Sequence, residues 1–154
     1  MTGRSLVIGY GNALRCDDGL GPRAVAMLQA DPRLGGVTLL ARHQLTPDLV
    51  LDIHDADFVI LIDATHDAPA GVISSAPLGD VRPGGSAWSH HVDPATLVAL
   101  AAELYGTVPV VVTVSVGVLS VEAGDELSPP VAAALPRLVD TVADILSARA
   151  LTHA

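Results

Sequence analysis

What most constrains this chain is a succession of short, strongly apolar runs, each broken at a glycine or an acid and each followed by a helix-start signal. Ser5 to Gly9 (SLVIG) breaks at glycine, and Gly21 to Ala30 (GPRAVAMLQA) then shows helical spacing with Pro22 suited to a first turn. Val37 to Ala41 reads as a second strand. Thr46-Pro47-Asp48 then combines an N-cap residue, a first-turn proline and an acid ahead of LVLDIHDA. Phe58 to Ile62 (FVILI) is almost uninterrupted and ends at Asp63, as expected of a central strand buried on both faces.

The second half is patterned less sharply. Gly71 to Leu78 is a weaker strand candidate, and Gly79 to Ser89 (GDVRPGGSAWS) is dense in turn residues and predicts the longest loop. Asp93-Pro94 opens a helix, Pro109 to Val118 is the last strong strand, and Ser128-Pro129 repeats the start signal. The C-terminal helix carries an apolar stripe through Ala134, Leu138, Val142 and Ile145, with a bend expected near Pro136. Strands alternating with helices predict a single α/β domain over residues 1–154. The expected form is a three-layer sandwich, an open, twisted, mostly parallel sheet with helices on both faces and a hairpin in the middle as the source of any mixed pairing. Strand order is not readable from these patterns. Ligands in such sheets sit outside the carboxyl ends of the strands, so residues just after strands are the ones to inspect.

Composition narrows the chemistry. With 154 residues, half of them hydrophobic, the chain has material for one buried core, and with only 3% aromatics that core must be aliphatic. The net charge is −9 and the eight basic residues are all arginines, scattered singly, which argues against nucleic acid as a partner. The absence of lysine excludes Schiff-base chemistry and a P-loop lysine. A single cysteine, Cys16, excludes an internal disulfide or a multi-cysteine metal site and fits a reducing compartment, so the cytoplasm is expected. No apolar run has the length of a membrane span, and MTGRSLVIGYGN does not have the pattern of a signal sequence.

The densest stretch follows the first strand: Gly9-Tyr10-Gly11-Asn12-Ala13-Leu14-Arg15-Cys16-Asp17-Asp18-Gly19-Leu20-Gly21. It is not a dinucleotide loop, because position 14 holds leucine where a third glycine belongs, and two aspartates would repel a pyrophosphate. An acid pair there invites a cation. For Asp17 the simpler role is capping or meeting the dipole of the following helix. Asp63, a carboxylate at the end of a buried strand, must be solvated, hydrogen-bonded or bound to a cation. If the first and third strands run parallel, Asp18 or Asp17 comes near Asp63. Trp88-Ser89-His90-His91 lies in the predicted loop before a helix start, and one histidine there can join the two carboxylates as a labile metal site. Cys16 reads as a packing residue, since acidic neighbours suppress its thiolate, and no G-x-S-x-G serine elbow is present. His54, His66 and His153 read as surface or helix-end residues.

These residues together resemble the maturation endopeptidases of nickel-iron hydrogenases. The opening VIGYGNALRCDDGLGPRAV resembles that family's glycine-asparagine and acid-pair signature, with Gly9, Gly11 and Asn12 as its structural loop. RHQLTPDLV resembles the segment linked to recognition of a particular hydrogenase, which makes His43, Gln44, Leu45 and Thr46 candidate substrate-binding residues. FVILIDA resembles the strand with a ligand aspartate, SHHVDPATLVAL the histidine-bearing loop and helix, and GDELSPPVAAALP the last helix start.

The resemblance implies a peptidase that removes a C-terminal extension from the hydrogenase large-subunit precursor after nickel insertion. Metal contacts fall on Asp18, Asp63 and His90, with His91 as the alternative, and Asp18 or Asp17 takes the proton in catalysis. Asp18 stands where relatives often carry glutamate. Nickel is expected to arrive with the substrate, with cadmium or zinc able to replace it, and neither nucleotide nor membrane is an expected partner. The alternative reading is a non-enzymatic nickel-binding checkpoint or chaperone of hydrogenase assembly.

Overall fold

A computed structural model describes residues 3–78 and 92–153. Among the described residues there are five strands, β1 (Ser5–Tyr10), β2 (Thr38–Arg42), β3 (Phe58–Thr65), β4 (Ile73–Pro77) and β5 (Val110–Gly117). Four α-helices accompany them: α1 (Leu20–Gln29), α2 (Val50–His54), α3 (Pro94–Tyr105) and α4 (Pro129–His153). The strands form one sheet in the order β2-β1-β3-β5-β4. Pairing is parallel for β1 with β2 and β3 and for β3 with β5, and antiparallel for β4 with β5.

Side chains alternate across each strand, and here both faces are apolar. Val7, Ile60, Ile62 and Val114 pack with Leu20 and Leu28 of α1 and Leu138 and Val142 of α4. Leu6, Ile8, Val59 and Leu61 pack on the opposite face with Ile53 of α2 and Leu97 and Val98 of α3. The expected three layers are present. Within the α4 stripe, Ala134, Leu138 and Val142 are buried and Ile145 packs partly buried against them, and the helix runs through Pro136 as one element.

Several local expectations change in detail. The antiparallel pairing does not come from a hairpin: α3 separates β4 from β5 in the chain, and β4 is an edge strand. β3 does not stop before Asp63 but continues to Thr65, because β5 carries the ladder on through Asp63↔Ser115 to Thr65↔Gly117. α2 has only five residues and is preceded by a 3-10 turn, Pro47–Leu49. The start of α3 matches expectation, with the Asp93 carboxylate accepting the Thr96 N–H at 2.7 Å, and the helix stops at Gly106 in the left-handed region. The predicted loop at Gly79–Ser89 lies outside the described residues. Among those described, no helix is long and apolar enough to cross a membrane.

The strand order places the site. From β1 the chain moves one way to β2 and then returns past β1 to β3, so the order reverses between β1 and β3. The crevice at the carboxyl ends of those two strands is where open α/β sheets bind ligands.

Candidate active site at the carboxyl edge of the sheet

β1 delivers its closing loop into that crevice with very close backbone packing. A Cβ at Gly9 would lie 2.3 Å from the Gly21 carbonyl oxygen, and one at Gly21 would lie 2.7 Å from the Tyr10 nitrogen, so the start of α1 sits directly on the end of β1. Gly11 has φ +147° and donates its N–H to the Arg42 carbonyl at 3.0 Å; a Cβ there would meet the Asp18 carbonyl oxygen at 1.9 Å. The Asn12 N–H donates to Asp18 Oδ2 at 2.8 Å, and Asn12 Oδ1 accepts the Leu14 N–H at 2.9 Å. This loop therefore holds one oxygen of Asp18 in place. No described residue donates to the other.

Asp63 reaches the same crevice from β3. The register Gly9↔Ile62 sets Tyr10 beside Asp63 on the neighbouring strand, and the Tyr10 hydroxyl hydrogen-bonds the Asp63 carboxylate. Burial raises the Asp63 carboxyl above its ordinary pKa and the Asp18 charge adds to the rise, while bonds from Tyr10 and the Ala64 N–H only partly offset it. Tyr10 is itself pushed far up by burial and by Asp63, with Asp93 and Asp18 contributing, so it stays protonated as a donor. Asp18 and Asp63 are thus brought into one electrostatic neighbourhood with Asp93. Tyr10 is the crevice residue that the sequence reading passed over. Its only signal was an aromatic between two glycines in an aromatic-poor chain.

Asp17 goes elsewhere. It is completely buried, and its oxygens accept the N–H groups of Leu119 (2.8 Å), Ser120 (3.0 Å) and Ser128 (2.6 Å) and the Ser128 hydroxyl (2.7 Å). Burial by itself would raise its pKa; these donors outweigh it and hold the carboxyl below its ordinary value. It does not cap its own helix, since α1 has Gly19 at its N-cap and no side-chain bond there. Instead Asp17 clamps the loop leading into α4, which leaves no oxygen disengaged for the catalytic role assigned to it as an alternative to Asp18. Cys16 adopts a positive φ of 45° with its sulfur against Gly124, a packing role.

His90 and His91 lie outside the described residues, as do Trp88 and Ser89. The chain resumes at Val92, whose N–H donates to the Leu45 carbonyl at 3.1 Å. The candidate selectivity segment is split by burial: His43 is exposed, Gln44 and Thr46 are half-buried, and Leu45 is 1% exposed, a core residue. The Thr46 hydroxyl donates to Asp48. His66 is exposed, whereas His54 is half-buried and stacked on Tyr105 with ring centroids 4.1 Å apart. Among the described residues no three His, Cys, Asp or Glu side chains are grouped to hold a metal ion, so a cation bound by Asp18 and Asp63 needs a further donor.

No family model and no curated protein matches the chain by sequence. Solved structures do. A hydrogenase 2 maturation peptidase from a Thaumarchaeota archaeon is 29% identical, with 94% of this chain and 98% of that one covered and a TM-score of 0.71. The chain is similar to the hydrogenase maturation peptidases in sequence and fold. An endopeptidase from Escherichia coli is 26% identical over 90% of this chain and 89% of that one, with a TM-score of 0.69. The hydrogenase maturating endopeptidase HybD from E. coli shares the fold at a TM-score of 0.76, 24% identity and coverage of 95% and 93%. The similarity to these peptidases and the mostly parallel α/β sheet agree with the reading of the opening signature.

Proposed function

We propose that this peptidase removes a C-terminal extension from the precursor of a nickel-iron hydrogenase large subunit, in the cytoplasm, after nickel has been inserted. The observation that carries the reading is the convergence of Asp18 and Asp63 on the β1/β3 switch point, where burial and the Asp18 charge raise the Asp63 carboxyl, a strain that a divalent cation would relieve. The nickel is part of the substrate, and Asp18, Asp63 and His90, or His91 in its place, are the groups that recognise it. Cadmium or zinc substitutes for it in vitro. His43, Gln44 and Thr46 contact the precursor, with Leu45 anchoring their segment in the core.

Hydrolysis adds water across the peptide bond, so one group must take a proton as water attacks the carbonyl and return one to the departing amine. Asp18 suits that task better than Asp17, because one of its oxygens is unengaged by any described residue whereas Asp17 is saturated. Intact-mass spectrometry of the organism's precursor, nickel-loaded and nickel-free, tests the reading. A C-terminal peptide is lost only from the loaded form, and Asp18→Asn, Asp63→Asn and His90→Ala each abolish the loss. Binding of the loaded precursor without any mass change would instead make the protein a non-enzymatic checkpoint or chaperone.

A further inference from the structure

We propose that Tyr10 is a positioning residue, which with Gly11 and Asn12 holds the Asp63 and Asp18 carboxylates in fixed relation to each other for the metal ion of the substrate; this rests on the peptidase reading above. The placement follows from strand register. β1 and β3 run parallel with Gly9 opposite Ile62, so the next neighbours are Tyr10 and Asp63. Side chains alternate along a strand, and Leu61 packs on the side of α2 and α3, so Asp63, two residues on, faces that side too. Tyr10 packs against the same core, which brings phenol and carboxylate onto one face of adjacent strands. There the hydroxyl donates to Asp63.

Asp63 has a second donor, the Ala64 N–H, but that bond ties the carboxylate only to its own strand. The Tyr10 bond crosses to β1 and so to the loop that carries Asp18. Two residues after Tyr10, the Asn12 N–H donates to Asp18 Oδ2 at 2.8 Å. Gly11 stands between them at φ +147°, with its N–H on the Arg42 carbonyl and its Cα so close to the Asp18 carbonyl that a Cβ would lie 1.9 Å from that oxygen. Three consecutive residues therefore grip both acids, one through a side chain and one through the backbone, on a turn with no slack.

The phenol is a firm support. Its ring packs against the core and its backbone pairs with Arg42 on β2, so the hydroxyl has little freedom to move. A carboxylate accepts about four hydrogen bonds, so the two donors on Asp63 leave it capacity to bind a cation. Support of this kind, given to a metal ligand from behind, fixes its orientation before the metal arrives.

The experiment compares Tyr10→Phe, which keeps the ring and deletes the hydroxyl, with Tyr105→Phe, the same change on α3 where the ring stacks on His54. Cadmium affinity is measured by titration calorimetry at pH 7 and pH 8, and steady-state cleavage of nickel-loaded precursor alongside it. Tyr10→Phe is expected to weaken cadmium binding and raise KM about tenfold each, with kcat within about twofold of wild type. The weakening is the same at the two pH values, and Tyr105→Phe matches wild type throughout. Cadmium affinity and KM unchanged in Tyr10→Phe overturn the positioning role and leave the peptidase reading standing. A cadmium loss that vanishes at pH 8 also overturns it, because the phenol would then only keep Asp63 charged. Weakened cadmium binding in Tyr10→Phe, when wild type binds the precursor without cleaving it, keeps the positioning role and overturns the peptidase reading. A wild type that binds no cadmium overturns the positioning role together with the crevice as a cation site.

Discussion

At the scale of single residues, the two adjacent aspartates illustrate how environment divides identical side chains. Asp18 shares its charge with a solvent-facing crevice, while Asp17 is a buried anion made tolerable by donors from a loop more than 100 positions away in sequence. Replacing Asp17 with asparagine removes one acceptor oxygen and sets an amide among donors, which strands at least one buried N–H. Asp17→Asn is expected to cost about 3 kcal/mol of stability, read as a lower urea midpoint; an unchanged midpoint would show that the clamp contributes nothing. The depressed carboxyl also fixes a sign. Its stabilisation is complete above the ordinary value of 3.8 and is lost as pH falls through the lower folded value.

At the scale of elements, the contact between β1 and α1 decides where the site loop stands. Gly9→Ala places a methyl 2.3 Å from a backbone oxygen and 2.7 Å from Val25 Cγ2, and the oxygen has no freedom to retreat without moving α1. Loss of about 3 kcal/mol is expected from such overpacking, together with a fall in precursor processing as Asp18 shifts. Gly35→Ala is the control, since φ is −58° and the nearest atom to its Cβ is 3.7 Å away, so its thermal midpoint should match wild type. Equal midpoints for both variants would show that the helix–strand contact is softer than its geometry. The short helix α2 and the 3-10 turn before it belong to the same scale. Thr46 and Pro47 announced a helix start correctly, but its length was set by how soon β3 had to begin.

At the scale of the whole molecule, a net charge of −9 favours cations generally, and the β1/β3 crevice sets Asp18 against the largely buried Asp63. The Asp63 carboxyl is raised above 3.8, so its contribution favours the fold below that value and is lost as pH rises through its folded pKa. On the proposed reading, a divalent cation takes the place of that proton. Cadmium should therefore raise the unfolding temperature at pH 7 and lose that effect towards pH 4, where the raised Asp63 carboxyl takes up its proton. A cadmium shift that is equal at the two pH values, or nil at pH 7, would remove the crevice as the cation site.

The sequence by itself determined what depends on neighbours in the chain. Periodicity and caps placed β1, β2, β3, β5, α1, α3 and α4 close to where they stand, and the aliphatic composition of the strands required helices on both faces. The acid pair and Asp63 were legible because a charge beside an apolar strand is conspicuous. Tertiary structure alone decided the strand order, and with it every contact that crosses between strands. Nothing local says that Tyr10 will meet Asp63, that Asp17 will hold Ser128 instead of its own helix, or that Leu45 will turn inward while His43 stays out. Those outcomes depend on which carboxyl ends pairing brings together and which polar groups burial then forces to find partners.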